Sequence, residues 1–111
     1  MSQDNIKAES EAFINFLVKK KGLNLKVAKD TVSRCNRLTR DLNIDLSHCT
    51  KNQENYAKFC ALVRAYCLEN CKTTIQIYAL GGMLRKASRY YCEFKWGKKV
   101  TDQLNTPRTY I

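Results

Sequence analysis

Residues 72–96, KTTIQIYALGGMLRKASRYYCEFKW, form the most informative stretch of the chain. Apolar residues recur in this stretch every three or four positions, which is typical of a long amphipathic helix. Thr73 or Thr74 suits the N-cap, and the pattern predicts an end near Phe94 or Trp96. At about 100° per residue, one broad arc of this helix is predicted to be buried. The residues of that arc are Leu80, Met83, Leu84, Ala87, Tyr90, Tyr91 and Phe94.

The opposite arc of the same helix is basic, and a pair of glycines, Gly81 and Gly82, occurs in the middle of the helix with Gly82 on this arc. Each glycine costs about 1 kcal/mol relative to alanine inside a helix, so the pair indicates that something approaches closely there. Either another helix packs against this point or a ligand such as a nucleic-acid backbone does, and both interpretations stay open. The exposed arc is predicted to hold Tyr78, Gly82, Arg85, Lys86 and Arg89.

Three further helices are predicted upstream, over residues 8–21, 25–42 and 51–70. Gly22 suits the end of the first helix, and Asn24 suits the N-cap of the second. A single Pro and only four Gly in the chain argue against a loop-rich or all-β fold. We therefore expect an all-α fold, a compact bundle of four main helices.

The second predicted helix segregates its apolar and basic residues onto opposite faces. Its buried stripe consists of Ala28, Val32, Cys35, Leu38 and Leu42. Its other face holds Lys26, Lys29, Ser33, Arg37 and Arg40, with Arg34 at the margin. Such a row is often no more than a solvated helix face, so its meaning depends on whether a second basic face accompanies it.

The charge of the chain is unevenly distributed. The 111 residues are enough for one domain, and they carry a net charge of +10 with a pI near 9.5. Residues 22–42 hold five bases against two acids, and residues 72–111 hold eight against two, whereas residues 43–71 hold three of each. Because the surplus is concentrated in two blocks, an acidic partner such as nucleic acid is expected.

The six cysteines do not have the spacing of a metal site or of a catalytic centre. No CxxC pair occurs, and His48 is the only histidine. Cys60, Cys67 and Cys71 share a helical face, which indicates packing in the core. The chain opens on no signal-peptide pattern and contains no apolar run of membrane-spanning length, so we expect a cytoplasmic protein without a membrane partner. We expect no enzymatic activity, no metal and no cofactor.

Two segments together resemble a known family: FINFLVKKKGLNLKVAKDTVSRCNRLTRDL at 13–42 and CKTTIQIYALGGMLRKASRYYCEFKWGKK at 71–99. Their order and spacing are similar to the N-terminal core-binding domain of tyrosine recombinases, the phage-type integrases, which has a SAM-like helical fold. The resemblance covers about residues 8–99. It rests on the aromatic first helix, the turn at Gly22 and Leu23, the small pair at Gly81 and Gly82, and the aromatic end at Tyr90 and Tyr91.

In that family the second and last helices face double-stranded DNA, and a separate catalytic domain closes the other side. The resemblance therefore implies a non-catalytic DNA-binding domain over residues 1–99, followed by a tail or linker remnant at 100–111. It also implies a role in DNA integration or recombination by a mobile element. Tyr110 has no cluster of bases around it that would make it a nucleophile. The implied DNA-binding residues are Lys26, Lys29, Ser33, Arg34, Arg37, Lys72, Thr73, Gln76, Arg85, Lys86 and Arg89.

Two other functions fit the same charge pattern. The first is a small helical accessory factor, from a phage or a mobile element, that binds an acidic protein. The second is an RNA-binding protein, which would need exposed aromatic residues for base stacking, and here only Tyr78 and Trp96 are predicted to be exposed.

Overall fold

The computed structural model describes residues 2–101, with the side chains of residues 9–101. In this range the chain is helical and contains no strand, so the predicted all-α bundle is confirmed. A short helix, Leu46–Cys49, lies between the second and third predicted helices, and the other four helices correspond to the four that were predicted. The helices are α1 (Ser2–Lys19), α2 (Leu25–Leu42), α3 (Leu46–Cys49), α4 (Gln53–Asn70) and α5 (Thr74–Trp96).

The helix boundaries follow local capping signals. Asn24 is the N-cap of α2, where its Oδ1 accepts a hydrogen bond from the Val27 backbone N–H at 2.9 Å. Thr73 caps α5 in a capping box with Gln76. Gly22 follows α1 with a φ of +72°, a left-handed conformation that favours glycine. These predicted stop and start signals are confirmed.

The predicted start of α1 is wrong by six residues, because the helix begins at Ser2 rather than at residue 8. Residues 2–7 contain neither Pro nor Gly, so nothing in this segment ends the helix. The apolar spacing used for the prediction begins only at Phe13, which is the first buried residue among the α1 side chains that the structure describes.

The core lies where α1, α2, α4 and α5 meet. The Phe13 ring of α1 contacts two rings of α5, with centroid distances of 5.4 Å to Tyr91 and 5.0 Å to Phe94. The α4 side chain Tyr56 is fully buried, and its hydroxyl donates a hydrogen bond to the Arg85 carbonyl at 3.3 Å. The cysteines complete this core as small apolar residues, since Cys35, Cys60, Cys67 and Cys92 are all buried.

The buried face of α5 is rotated from the predicted one, towards its small residues. Met83, predicted to be buried, is 41% exposed, whereas Gly81, Ser88 and Cys92 are buried. The buried Ser88 hydroxyl donates a hydrogen bond to the Arg85 carbonyl at 2.6 Å. The prediction counted only large apolar residues, and the small residues instead allow neighbouring helices to pack closely against α5.

The segment after α5 packs back onto α3 and α4. The Trp96 indole N–H donates to the Ser47 carbonyl at 3.0 Å, and Val100 is buried. The Gln53 amide donates to the Thr101 carbonyl at 2.7 Å and accepts from the Thr101 N–H at 2.9 Å. The Trp96 hydrogen bond anchors the end of α5 on α3. Tyr110 lies outside the described residues.

Candidate nucleic-acid interface

The two helices with basic faces, α2 and α5, pack directly against each other. The Cys35 thiol of α2 donates to the Ala87 carbonyl of α5 with an S–O distance of 3.4 Å. Beside this contact, Arg34 from α2 and Lys86 from α5 line the same surface cleft. Residues that are 52 positions apart in the chain therefore contribute positive charge to one surface.

The N-terminal part of α2, residues 25–34, presents its bases to solvent. Lys26, Lys29 and Ser33 are exposed, and Arg34 is partly buried. Lys26 lies 3.3 Å from Asp30, one turn further along the same exposed helix face, a geometry worth only about 0.3–0.5 kcal/mol. The side chains of Lys29 and Ser33 make no hydrogen bond or ion pair with the part of the chain that the structure describes. They are therefore available to a ligand.

Arg37, in the C-terminal half of α2, is held within the fold instead. Its Nε donates to the Tyr66 hydroxyl at 2.9 Å, and that hydroxyl donates to Asp41 Oδ2 at 2.8 Å. Arg40 Nε donates to the other carboxylate oxygen of Asp41 at 2.9 Å. The hydrogen bond from Arg40, with that from Tyr66, lowers the pKa of the Asp41 carboxyl. Of the sites predicted on α2, Arg37 thus has a structural role.

The predicted residues at the start of α5 build the helix cap. Gln76 Oε1 accepts the backbone N–H groups of Lys72 at 2.9 Å and Thr73 at 3.3 Å, while Thr73 Oγ1 accepts the Gln76 N–H at 3.1 Å. All three side chains are exposed. A ligand at this end of α5 would meet the Lys72 ammonium group and the outer surface of the capping box.

The two mid-helix glycines of α5 have different surroundings. A Cβ atom on Gly81 would lie 2.9 Å from Arg85 Nη1 and 3.6 Å from Cys67 Sγ. Gly81 therefore makes room for the Arg85 side chain and for α4, which favours the helix-packing interpretation there. A Cβ on Gly82 would meet nothing within 4 Å among the described residues. Arg85 and Arg89, predicted on the exposed arc, are both partly buried.

A basic and aromatic cluster beside the cleft was not predicted. Two lysine ammonium groups lie over the Tyr90 ring: Lys21 Nζ is 5.8 Å and Lys86 Nζ is 6.0 Å from the ring centroid. Lys21 Nζ also donates to Glu93 Oε1 at 2.8 Å, and this hydrogen bond raises the pKa of Lys21. The run of three lysines at residues 19–21, just before Gly22, is the sequence signal that could have indicated this cluster.

The buried thiols are poor nucleophiles. Burial raises the pKa of Cys49 to about 11, and burial also raises the pKa of Cys35, Cys67 and Cys92. These side chains therefore stay protonated at neutral pH and pack as small apolar groups. Among the residues whose side chains are described, no three His, Cys, Asp or Glu side chains are placed to hold a metal ion. Across the same range, no helix has the length and apolar character that a membrane crossing requires.

Comparison of the chain with family models, with curated proteins and with solved structures gives no match in any of the three.

Proposed function

We propose that this chain is a non-catalytic DNA-binding domain of the SAM-like core-binding type, which grips duplex DNA through the basic faces of α2 and α5. The observation that carries this proposal is the direct packing of α2 on α5, with Arg34 and Lys86 at one cleft. In contrast, α4 balances Lys58 and Arg64 against two acidic residues.

The exposed bases provide most of the affinity in this proposal. Lys29 on α2 and Lys86 on α5 are exposed, so each is free to neutralise a backbone phosphate. Lys26 and Lys72 are exposed at the starts of their helices and extend the same basic character. Binding of this kind depends on phosphate charge, and it positions the domain on DNA without reading much sequence.

Gly82 is the proposed point of closest approach on α5. The open space around its missing Cβ leaves room for a sugar–phosphate backbone, and Lys86 lies one turn further along the helix. This is the ligand-approach interpretation of the glycine pair, and it now applies to Gly82 alone.

The proposal limits the protein to binding. A role in integration or recombination would require a separate catalytic domain, as in the family that the sequence resembles. A cytoplasmic location and the absence of a cofactor belong to the same proposal.

A salt titration tests this function. The affinity for a duplex of ~20 base pairs, measured by fluorescence anisotropy, should fall with a log–log slope of about −0.9 per phosphate contacted. Five contacts would reduce affinity by about 10²- to 10³-fold between 50 and 200 mM salt. No binding, or an affinity that does not change with salt, would refute the proposal.

A further inference from the structure

A cleft of about 180 Å³ lies between α2 and α5, in the middle of the basic surface. Its α2 side is formed by Val27 and Thr31, and its α5 side by Met83, Ala87 and Tyr90. This α2–α5 cleft is a mainly apolar recess, unlike the lysine-rich faces on either side. Phosphate groups gain nothing from such walls, so DNA binding does not explain it.

The polar groups that line the cleft belong to Thr31, Arg34, Lys86 and Tyr90. The Thr31 hydroxyl donates a hydrogen bond to the Val27 carbonyl at 2.9 Å, so it does not need an acceptor from a bound ligand. Arg34 and Lys86 line the cleft with their long side chains and supply positive charge. An occupant therefore needs an apolar group for the recess and negative charge for its surroundings.

Two large apolar side chains remain solvent-exposed at this cleft. Val27 is 40% exposed and Met83 is 41% exposed. Covering them would remove further apolar surface from water, which favours association. A second copy of the chain is a poor candidate, because it would bring another +10 charge against the same basic surface.

We propose that the α2–α5 cleft binds a bulky apolar side chain from an acidic segment of a protein partner. The apolar side chain lies against Val27 and Met83, and carboxylates on either side of it pair with Arg34 and Lys86. This inference rests on the cleft itself and does not depend on the proposed DNA binding. Because both would use Arg34 and Lys86, the acidic segment and DNA compete.

The test uses a labelled peptide of ~12 residues, built from Asp and Glu with one central Phe, and a second peptide with Ala in place of Phe. Fluorescence anisotropy measures their affinities for the full chain. The Phe peptide should bind roughly tenfold or more tightly, because burial of one large side chain is worth that factor. Equal affinities would overturn the proposal, because charge alone would then explain binding.

A pair of charge-matched variants locates the site. Val27→Lys with Met83→Lys adds two positive charges at the cleft, yet it should abolish the preference for the Phe peptide. Leu62→Lys with Leu68→Lys makes the same change at the exposed α4 positions, which are 46% and 54% exposed, and should retain that preference. Loss in both variants, or in neither, would overturn the proposal.

Other occupants are distinguished by a variant that adds no charge. If DNA entered the cleft, Val27→Ala with Met83→Ala would lower the affinity for duplex DNA, whereas the proposal predicts an equal affinity. If a lipid surface were the partner, the chain would bind phosphatidylcholine–phosphatidylglycerol vesicles and the same variant would reduce that binding. Either result would overturn the proposal, and the peptide comparison remains decisive even if no DNA binding is found.

Discussion

The two halves of α2 carry similar numbers of bases but use them differently. In the C-terminal half, Arg37 and Arg40 are tied to Asp41, and Tyr66 of α4 lies between Arg37 and the carboxylate. In the N-terminal part, residues 25–34, Lys29 and Arg34 have no carboxylate partner among the described residues, and Lys26 has only an exposed ion pair with Asp30. The number of positive residues on a helix therefore does not measure the charge that is available to a ligand.

The largest effect on stability is expected at the paired half. Tyr66→Phe removes the hydroxyl that accepts from Arg37 and donates to Asp41, so the free energy of unfolding should fall by about 1–2 kcal/mol. Urea denaturation measures this change. The affinity for duplex DNA should stay within about twofold, because Tyr66 acts inside the fold.

A double-mutant cycle with Asp41→Asn checks that assignment. The losses from Tyr66→Phe and Asp41→Asn should not add, because the two side chains share one hydrogen bond. Additive losses, or a tenfold loss of DNA affinity in Tyr66→Phe, would remove the distinction between the two halves of α2.

A smaller change, of opposite sign, is expected at Gly82. Gly82→Ala should raise the free energy of unfolding by about 0.5–1 kcal/mol, because alanine favours the helix and the new Cβ meets nothing within 4 Å. The same variant should bind DNA more weakly if the phosphate backbone approaches this point. Gly81→Ala is the matched control, and it should gain less stability because its Cβ meets Arg85 at 2.9 Å. Equal DNA affinity in Gly82→Ala and the parent chain would contradict the proposed approach.

The smallest expected effect is the loss of folding stability at acidic pH that Asp41 causes. Asp41 has a lowered pKa in the folded protein because Arg40 and Tyr66 donate hydrogen bonds to its carboxylate. Such a group stabilises the fold above its ordinary pKa of about 4, and that contribution is lost as the pH falls through the lower, folded value. Thermal melts at decreasing pH should therefore show a smaller loss of stability for Asp41→Asn than for the parent chain. If the melting temperatures of Asp41→Asn and the parent chain fell in parallel with decreasing pH, the stabilising role of the Asp41 carboxylate would be contradicted.

Much of the fold follows from local rules that are visible in the sequence. Asn24 and Thr73 begin helices because their side chains accept backbone N–H groups, and this depends on neighbouring residues alone. The prediction of which face of α5 is buried was partly wrong, because burial on this helix depends on packing against the other helices. Gly81 and Ser88 carry no hydrophobic signal, yet they are buried where α4 comes close.

The candidate site was predictable only in part. Helical periodicity identified Lys29 and Lys86 as exposed bases, since exposure follows from position on an amphipathic helix. It could not show that Arg37 is tied to Tyr66, because their contact joins residues 29 positions apart. The α2–α5 cleft was equally out of reach, since it depends on how two distant helices pack.

In the proposed function, the placement of positive charge on α2 and α5, rather than the total charge, determines the affinity for DNA. Lys29→Ala with Lys86→Ala removes two charges from the α2 and α5 surface, and Lys58→Ala with Arg64→Ala removes two from exposed positions of α4. The most direct measurement compares the duplex affinity of these two variants across a salt series. The variant with changes on α2 and α5 should lose about tenfold or more in affinity, and its log–log salt slope should fall by about 2 units. The α4 variant should keep an affinity close to that of the parent chain. Equal losses in the two variants would contradict this role of charge placement.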